Sequence, residues 1–379
     1  MALHFQQGSR RLLVAKLGLA FVVAVVLITL PFMIGTVSGI GALSQLVAYS
    51  VAILGLNLLI GYCGQISLGQ SAFVGLGGYT AVILVADHDW PYLATVPVAF
   101  LVCAVAGALI GMPALRIRGL YLVTVTLSIA ALFPVLVDQF DGLTGGANGK
   151  FANEPMTAPP WFFVNPYTLT GPVIDRYYAI LAFAALMFLL ARNIVRSRIG
   201  RAMIAVRDAP LSAASSGVPV AKVKIFTFAM SAAFGGVAGA LLVIQLPEVT
   251  GARFDLYLSV FLLVGLITGG SKSIVGAIPG AIVFVALRTY IADWASNQTF
   301  IEGPQGQQLV GVISGVLLLV CVFLLPGGIA DGLKGLLSKV VVVEPRTPSG
   351  WEQYRLVTSQ DHPSRPPERP RERTRTDVV

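Results

Sequence analysis

The sequence has few charged residues. Asp, Glu, Lys and Arg together make up 12% of its 379 residues, whereas hydrophobic residues make up 56%. Soluble globular domains carry about 25% charged residues, and the mean hydropathy of this chain is +0.80. The scarcity of charge therefore excludes a soluble globular protein and indicates a chain that crosses a membrane several times.

Residues that bind metals or nucleotides are also scarce. The chain has three cysteines and three histidines, and Cys63, Cys103 and Cys321 lie in or next to apolar runs, at spacings that match no metal motif and no disulfide framework. No G-x-x-x-x-G-K-[ST] loop for nucleotide phosphates occurs. We therefore predict no metal site, no cofactor and no enzyme activity in this chain.

Long apolar runs are abundant. We identify ten, each close to the roughly 20 residues that cross a bilayer core. They cover residues 14–34, 40–60, 65–86, 92–115, 121–137, 177–191, 226–246, 257–269, 274–290 and 309–325. The predicted fold is all-α, a polytopic transmembrane helical bundle of about ten spans with both termini cytoplasmic.

The distribution of basic residues supports this topology. With the N-terminus inside, 22 of the 26 lysines and arginines fall on the cytoplasmic side, and only Lys150, Arg176, Arg253 and Arg288 fall outside. Cytoplasmic loops of membrane proteins carry this excess of positive charge. The same bias explains the net charge of +8, so no nucleic-acid partner is predicted.

The topology divides the chain into three parts. Residues 1–13 form a cytoplasmic N-terminus, and residues 14–340 form the transmembrane domain, with an external loop at 138–176 and a cytoplasmic loop at 192–224. Residues 341–379 are rich in proline and arginine and have no apolar periodicity. Such a segment cannot bury a core, so we predict a disordered cytoplasmic tail.

One apolar run is interrupted by polar residues and glycines. The text GYCGQISLGQSAFVGLGGYT begins at Gly61 and contains Gln65, Ser67, Gln70 and Ser71 together with Gly61, Gly64 and Gly69. At membrane depth, polar sequence is tolerated where it packs against protein or lines a wet path. On a helix, Ser67 and Ser71 would share one face. The segment therefore indicates transport, with hydrogen bonding between helices as the alternative for each residue.

The cytoplasmic loop contains a predicted short helix. Within GRAMIAVRDAPLSAASSGVPVAKVK, proline at position 210 followed by glycine at 217 is typical of a helix that begins at the proline and ends just before the glycine. Such a helix offers a rigid knob to a partner protein. The alternative is a connector held at the lipid headgroups, and the residues alone favour neither.

Several ordered blocks of the chain resemble a known family. They are GLNLLIGYCGQISLGQSAFVGLGGYTA from Gly55, LRIRGLYLVTVTL from Leu115, LTGGANG from Leu143, GRAMIAVRDAPLSAASSGVPVAKVKIFTFAMSAAFGGVAGAL from Gly200 and LLPGGIA from Leu324. These blocks resemble the permease subunits of branched-chain amino acid ABC importers, and among them the LivM-like member of the LivH/LivM pair. The resemblance covers roughly residues 40 to 335.

The resemblance implies a set of partners and roles. They are a second, LivH-like permease subunit, two ATPase subunits that bind ATP, an external substrate-binding protein, an amino acid as substrate, and the bilayer of a bacterial cytoplasmic membrane. It assigns Gln65, Ser67, Gln70 and Ser71 to the translocation pathway, Gly61, Gly64 and Gly69 to close packing, and Arg207, Asp208, Pro210 and Gly217 to coupling with the ATPase.

The chain departs from the family pattern at one point. The family carries acidic residues near positions 210 and 214, where this chain has Pro210 and Ala214. Docking on the ATPase is therefore expected to depend on shape and backbone contacts rather than on ion pairs.

Two other functions remain open. The chain could act alone as a secondary transporter or channel for small polar solutes, although no ionisable residue lies clearly in the middle of a span, where ion-coupled carriers usually need one. It could also be an ABC permease for urea or short amides, because nothing in the spans selects one substrate.

Overall fold

The computed structural model describes residues 3–6, 25–114, 120–152, 171–271, 273–296 and 341–344. The chain divides into two units, Met1–Val23 with Leu336–Val379, and Ala24–Gly335. In the first unit, strand β1 (Leu3–Gln6) pairs in parallel with strand β4 (Val341–Glu344). The first four residues of the predicted disordered tail form this strand, and residues 345–379 lie outside the described residues, so the disordered tail stays a prediction.

The second unit is a bundle of helices. The elements are α1 (Val25–Ile34), α2 (Val37–Leu56, continued by a π-helical turn at Asn57–Tyr62), α3 (Gln70–His88), α4 (Tyr92–Ala114), α5 (Leu120–Gln139), α6 (Asp141–Thr144), β2 (Lys150–Phe151), α7 (Gly171–Arg196), α8 (Arg198–Asp208), α9 (Pro210–Ser215), α10 (Val220–Gln245), β3 (Glu248–Val249), α11 (Leu256–Gly269) and α12 (Ala277–Ser296), with 3-10 turns at Gly146–Asn148, Gly251–Phe254 and Ile274–Gly276.

Seven apolar helices within the described ranges are long enough to cross a membrane, and Val25–Ile34 and Ile274–Ala286 are shorter apolar helices. The prediction of an all-α polytopic membrane protein is therefore confirmed. The span predicted at residues 309–325 lies outside the described residues, so the number ten stays a prediction. One predicted boundary is wrong: the third span does not begin at Gln65, because α3 begins at Gln70.

Helix α10 lies at the centre of the bundle, where it packs against α2, α3 and α4. Glycines allow this close approach: a Cβ at Gly239 would overlap the carbonyl oxygen of Val74, and a Cβ at Gly77 would overlap the backbone of Gly236. Small residues at helix interfaces let backbones approach in this way. A second close pair joins α11 to α12, where Gly265 packs on the backbone of Gly280.

The bundle has two structurally distinct ends. At the first, which we call the β2–β3 end, β2 and β3 pair antiparallel with Lys150 opposite Val249, and Lys150 forms an ion pair with Asp87 at the end of α3. At the second, which we call the α8–α9 end, α8 packs against α7, α10 and the π-helical turn that ends α2. The predicted external loop contains β2 and therefore belongs to the β2–β3 end. The predicted cytoplasmic loop contains α8 and α9 and therefore belongs to the α8–α9 end.

Candidate coupling and translocation site

The polar segment identified in the sequence forms a break between α2 and α3. The π-helical turn ends at Tyr62, Gly64 has a φ of +72°, and residues 64–69 have no regular secondary structure. The left-handed conformation at Gly64 is open to glycine without steric cost, so the chain turns out of the helix there. We call residues 63–69 the α2–α3 break.

Side chains alternate in direction along the break. Gln65 and Ser67 are 9% and 2% exposed, whereas Ile66 between them is 49% exposed. The polar side chains therefore point into the protein, and the exposed side of the break is apolar. The prediction that Ser67 and Ser71 share one helical face is wrong, because Ser67 precedes the first residue of α3.

Gln70 joins three helices. Its Nε2 donates to the carbonyl oxygen of Ala52 at 3.3 Å and to that of Ser231 at 3.1 Å, and its Oε1 accepts from the Ser231 hydroxyl at 3.3 Å. The side chain is 2% exposed. Gln70 thus holds α3 against α2 and α10 and satisfies its own polar groups inside the protein.

The other polar residues of the segment are also bonded internally. The backbone N–H of Ser71 donates to Ser259 Oγ at 2.8 Å, and that hydroxyl donates to Ser71 Oγ at 2.8 Å. Ser67 Oγ accepts from the backbone N–H of Gly69 at 3.3 Å. Ser71 is therefore bonded between two helices and Ser67 is bonded within the break, and their contact with substrate stays a prediction.

Gln65 contacts a buried thiol. Its Nε2 donates to Cys63 Sγ at 3.4 Å. Burial raises the pKa of the Cys63 thiol, because the thiolate would lose the solvation it has in water. A buried thiol of this kind is typical of a packing residue, which is the role predicted for Cys63.

The three glycines of the segment approach three different neighbours. A Cβ at Gly61 would overlap the carbonyl oxygen of Ser271, one at Gly64 would lie 2.7 Å from Arg207 Cγ, and one at Gly69 would lie 3.1 Å from the carbonyl oxygen of Thr126. The π-helical turn therefore lies against the α11–α12 connection, and the break lies against α8 and α5.

Asn57 is a functional candidate that the sequence reasoning missed. Its Nδ2 donates to the carbonyl oxygen of Ser273 at 2.7 Å, which ties the π-helical turn of α2 to the α11–α12 connection. Its Oδ1 is buried and has no hydrogen-bond partner among the residues that the structure describes. An amide in the middle of the apolar text GLNLLIG was the available signal.

The short helix predicted in the cytoplasmic loop is confirmed as α9. Pro210 occupies its first turn and Gly217 has a φ of +81°. The N–H of Gly217 donates to Ala214 at 3.0 Å and the N–H of Val218 donates to Ala213 at 3.0 Å. These two bonds form the Schellman motif that ends helices at a left-handed glycine.

Helix α9 projects from the bundle. Leu211 is 83% exposed, whereas Ala213 is 4% exposed and joins the core. The helix therefore presents most of its surface while one small residue anchors it. The docking of this helix on a partner protein stays a prediction.

The structure brings one of the predicted coupling residues, Arg207, to the α2–α3 break. Arg207, at the end of α8, donates from Nη1 to the carbonyl oxygen of Gly61 at 2.6 Å, and from Nε to Asp208 Oδ1 at 2.8 Å. Its side chain is 25% exposed. Pro210 and Gly217 do not reach the break, because Pro210 begins α9 and Gly217 follows its last turn. Sequence reasoning named both segments without predicting their contact.

Comparisons with known proteins show which family the chain resembles. Residues 38–322 match the family described as branched-chain amino acid transport system / permease component. The chain is 31% identical over 295 residues to the high-affinity branched-chain amino acid transport system permease protein LivM of Escherichia coli strain K12, covering 72% of this chain and 68% of that protein. It is 30% identical over 287 residues to the LivM protein of Salmonella typhimurium strain LT2, covering 71% and 67%.

A more distant relative is the other type of permease subunit. The chain is 26% identical over 300 residues to the probable branched-chain amino acid transport permease protein LivH of Methanocaldococcus jannaschii, covering 75% of this chain and 90% of that protein. No solved structure gives a significant match. Among the described residues, no group of three or more His, Cys, Asp or Glu side chains could hold a metal ion.

Proposed function

This chain belongs to the family of branched-chain amino acid transport permease components, and we propose that it forms part of the membrane pathway of an ATP-driven importer. A second, similar permease subunit completes that pathway. Two ATPase subunits bind and hydrolyse ATP, so this chain itself is no enzyme and carries no cofactor. The protein is located in the cytoplasmic membrane of a bacterium, and its α8–α9 end faces the cytoplasm.

The hydrogen bond from Arg207 to Gly61 is the observation that carries the coupling mechanism. Helix α9 docks on an ATPase subunit, and α8 moves with it when the ATPase subunits close. Because Arg207 donates a hydrogen bond to the carbonyl oxygen of Gly61 at the end of α2, a movement of α8 also moves the adjoining α2–α3 break. A rigid-body motion about such a contact is a known way to pass a change between domains.

The break forms part of the pathway wall. Ile66 is exposed on its outer side, and this apolar edge faces the second permease subunit across the route. The buried polar side chains fix the position of this edge through their hydrogen bonds inside the protein, and they are Gln65, Ser67, Gln70 and Ser71. An amino acid with an apolar side chain then meets a wall of matching polarity as it passes.

The substrate is a branched-chain or other hydrophobic amino acid, delivered by an external binding protein. The apolar edge of the break favours this choice over urea or short amides, which carry no apolar side chain. A secondary transporter that works alone is the competing class, and it differs in one requirement, because it needs no ATPase.

Uptake of labelled leucine and labelled urea separates these functions. Cells with the gene are compared with cells lacking it, and with cells whose partner ATPase carries a substitution of its phosphate-binding lysine. We expect leucine uptake that depends on both the gene and the active ATPase. Uptake of urea but not leucine would overturn the substrate, and leucine uptake that survives loss of the ATPase would overturn the ATP-driven mechanism.

A further inference from the structure

A cavity of about 230 Å³ opens at the β2–β3 end of the bundle. Its walls come from α2, the end of α10, and the segment from β3 to the following 3-10 turn. Six apolar or aromatic residues line most of it, namely Tyr49, Leu242, Val243, Leu246, Val249 and Phe254. Drug-sized ligands occupy about 300–1,000 Å³, so this cavity suits a smaller molecule.

A pair of opposite charges belongs to the lining of the same cavity. Arg253 Nη2 lies 3.3 Å from Glu248 Oε1, and Arg253 Nη1 donates to the carbonyl oxygen of Glu248 at 3.3 Å. The two side chains are 39% and 38% exposed, so the pair faces solvent while the apolar walls lie behind it. A guanidinium offers five N–H donors and a carboxylate about four acceptor positions, so the pair keeps capacity for a further ligand.

We propose that this cavity is a binding site for a zwitterionic α-amino acid with an apolar side chain. Arg253 receives the α-carboxylate, Glu248 receives the α-ammonium group, and the apolar side chain enters between Leu242, Val243 and Tyr49. The inference rests on the proposed function, because the predicted topology places Arg253 on the outside, where substrate arrives.

The chemistry of the site selects against the other substrates considered. Urea carries neither charge and no apolar side chain, so it would form only neutral hydrogen bonds with the pair and leave the apolar walls without a contact. An amine or a carboxylic acid of the same carbon skeleton would satisfy only one member. A bidentate carboxylate on arginine adds geometry as well as charge, so the site distinguishes the zwitterion from both.

A cysteine at the rim tests the proposal in the assembled importer, without binding protein and without nucleotide. Leu246 lines the cavity and is 40% exposed, so Leu246→Cys is accessible to a maleimide. The parent importer gives the background, to which buried Cys63 and Cys103 contribute little. Leucine at about ten times its dissociation constant should slow labelling of Leu246→Cys about tenfold, by mass action.

The matched ligands and variants decide the outcome. Urea, 4-methylpentanoate and 3-methylbutylamine should leave labelling unchanged. Glu248→Gln and Arg253→Gln, each combined with Leu246→Cys, should abolish protection by leucine, whereas Arg253→Lys should retain part of it and report that the fold is intact. Lys150→Gln removes the ion pair with Asp87 at the same end and should leave protection unaltered.

Two results would overturn the site. The first is labelling that leucine does not slow, and the second is protection that persists in both charge variants or that the amine and the acid match. Neither result depends on the proposed function, which is tested by uptake. An importer with normal ATP-dependent leucine uptake and no protection would remove this site and leave the function in place.

Discussion

The guanidinium of Arg207 and the carbonyl oxygen of Gly61 lie 2.6 Å apart, although the two residues are separated by 146 positions in the chain. The carbonyls in the last turn of a helix have no partner within that helix, and a cation at that end is favourable for the helix dipole. One side chain therefore both completes the end of α2 and links it to the cytoplasmic loop.

Removing this link should uncouple transport from ATP hydrolysis. Hydrogen bonds to charged groups contribute about 1.5–3 kcal/mol, so Arg207→Ala should lower leucine uptake about tenfold or more while the ATPase subunits still co-purify. Arg207→Lys keeps the charge and loses the planar fork, so it should give intermediate uptake. Uptake and complex recovery are measured on the same membranes.

Arg201, on a different face of α8 from Arg207, provides the matched control. Arg201 belongs to the same helix, and its side chain donates to the carbonyl oxygen of Arg196 at 3.5 Å rather than to the end of α2. Arg201→Ala should leave uptake unchanged. Equal loss in the Arg201 and Arg207 variants would mean that general positive charge matters and that the contact with Gly61 does not.

The end of α9 offers a test of the docking knob. A Cβ at Gly217 would meet nothing within 4 Å, so only the positive φ opposes a side chain there. The left-handed conformation costs roughly 1–2 kcal/mol for an ordinary residue, and asparagine tolerates it better than a β-branched residue. Gly217→Val should lower both ATPase co-purification and uptake, whereas Gly217→Asn should come close to wild type.

The contradictory result for this prediction is specific. If the ATPase subunits co-purify with Gly217→Val as well as with wild type, and uptake is unchanged, then α9 does not couple the permease to the ATPase. If Gly217→Asn fails as badly as Gly217→Val, the backbone conformation is not the property that matters.

Local chemistry explains why α9 could be predicted from sequence. Pro210 and Gly217 fix the two ends of the helix through their own backbone preferences, without any distant partner. Hydropathy likewise needs only composition, which is why most spans could be located. Both signals are contained within a short stretch of chain.

The arrangement of the polar segment could not be predicted in the same way. Ser71 bonds to Ser259, 188 positions away, and Asn57 bonds to Ser273, 216 positions away. The pattern of serines at helical spacing indicated one polar face, but the turn at Gly64 ends helical geometry before Ser67. Which way each polar side chain points depends on these distant partners, so the sequence alone left pathway and packing open.

The position of α10 illustrates a second limit. This helix is apolar on all sides, so its periodicity gives no preferred face. Its glycines were quoted in the resembling text, yet only the structure shows that Gly239 packs on Val74 and Gly236 on α4 through Cys103. Small residues four apart were the available signal.

The α3–α10 contact should be intolerant of any added side chain. The obstacle at Gly239 is backbone, namely the carbonyl oxygen of Val74, which cannot rotate away as a side chain would. Overpacking usually costs about 1–3 kcal/mol. Gly239→Ala should therefore reduce the amount of complex recovered from membranes and lower its Tm.

Gly142 provides the control for that substitution. A Cβ there would meet nothing within 4 Å, and its φ lies outside the left-handed region. Gly142→Ala should give wild-type recovery and wild-type Tm. A normal Tm for Gly239→Ala would show that α3 and α10 can separate without cost and would contradict the packing described here.

The serine pair tests whether the polar segment packs or conducts. Ser71 is fully buried and Ser67 is 2% exposed, so the double change Ser67→Leu with Ser71→Leu should prevent assembly with partner subunits rather than block an assembled pathway. Normal assembly with lost uptake would instead place these serines on the route. Normal assembly with normal uptake would contradict both roles.

A double-mutant cycle measures the bond itself. Hydrogen bonds between membrane helices average about 0.6 kcal/mol, so Ser71→Ala, Ser259→Ala and the double variant should show a coupling energy of about that size in denaturant unfolding of the complex. A coupling energy indistinguishable from zero would mean that the bond between the two hydroxyls contributes nothing to stability.

The two ends of the bundle should face opposite sides of the membrane. Basic residues follow the cytoplasmic side, and α8 carries three arginines whereas the β2–β3 end combines Lys150 and Arg253 with acidic partners. Leu211 on α9 is 83% exposed and Phe151 on β2 is 55% exposed, so a cysteine at either position can react. A membrane-impermeant maleimide on intact cells should label Phe151→Cys at once and Leu211→Cys only after the membrane is permeabilised. The reverse pattern would invert the topology, and with it the cavity at the β2–β3 end would open to the cytoplasm and α9 would point away from any ATPase.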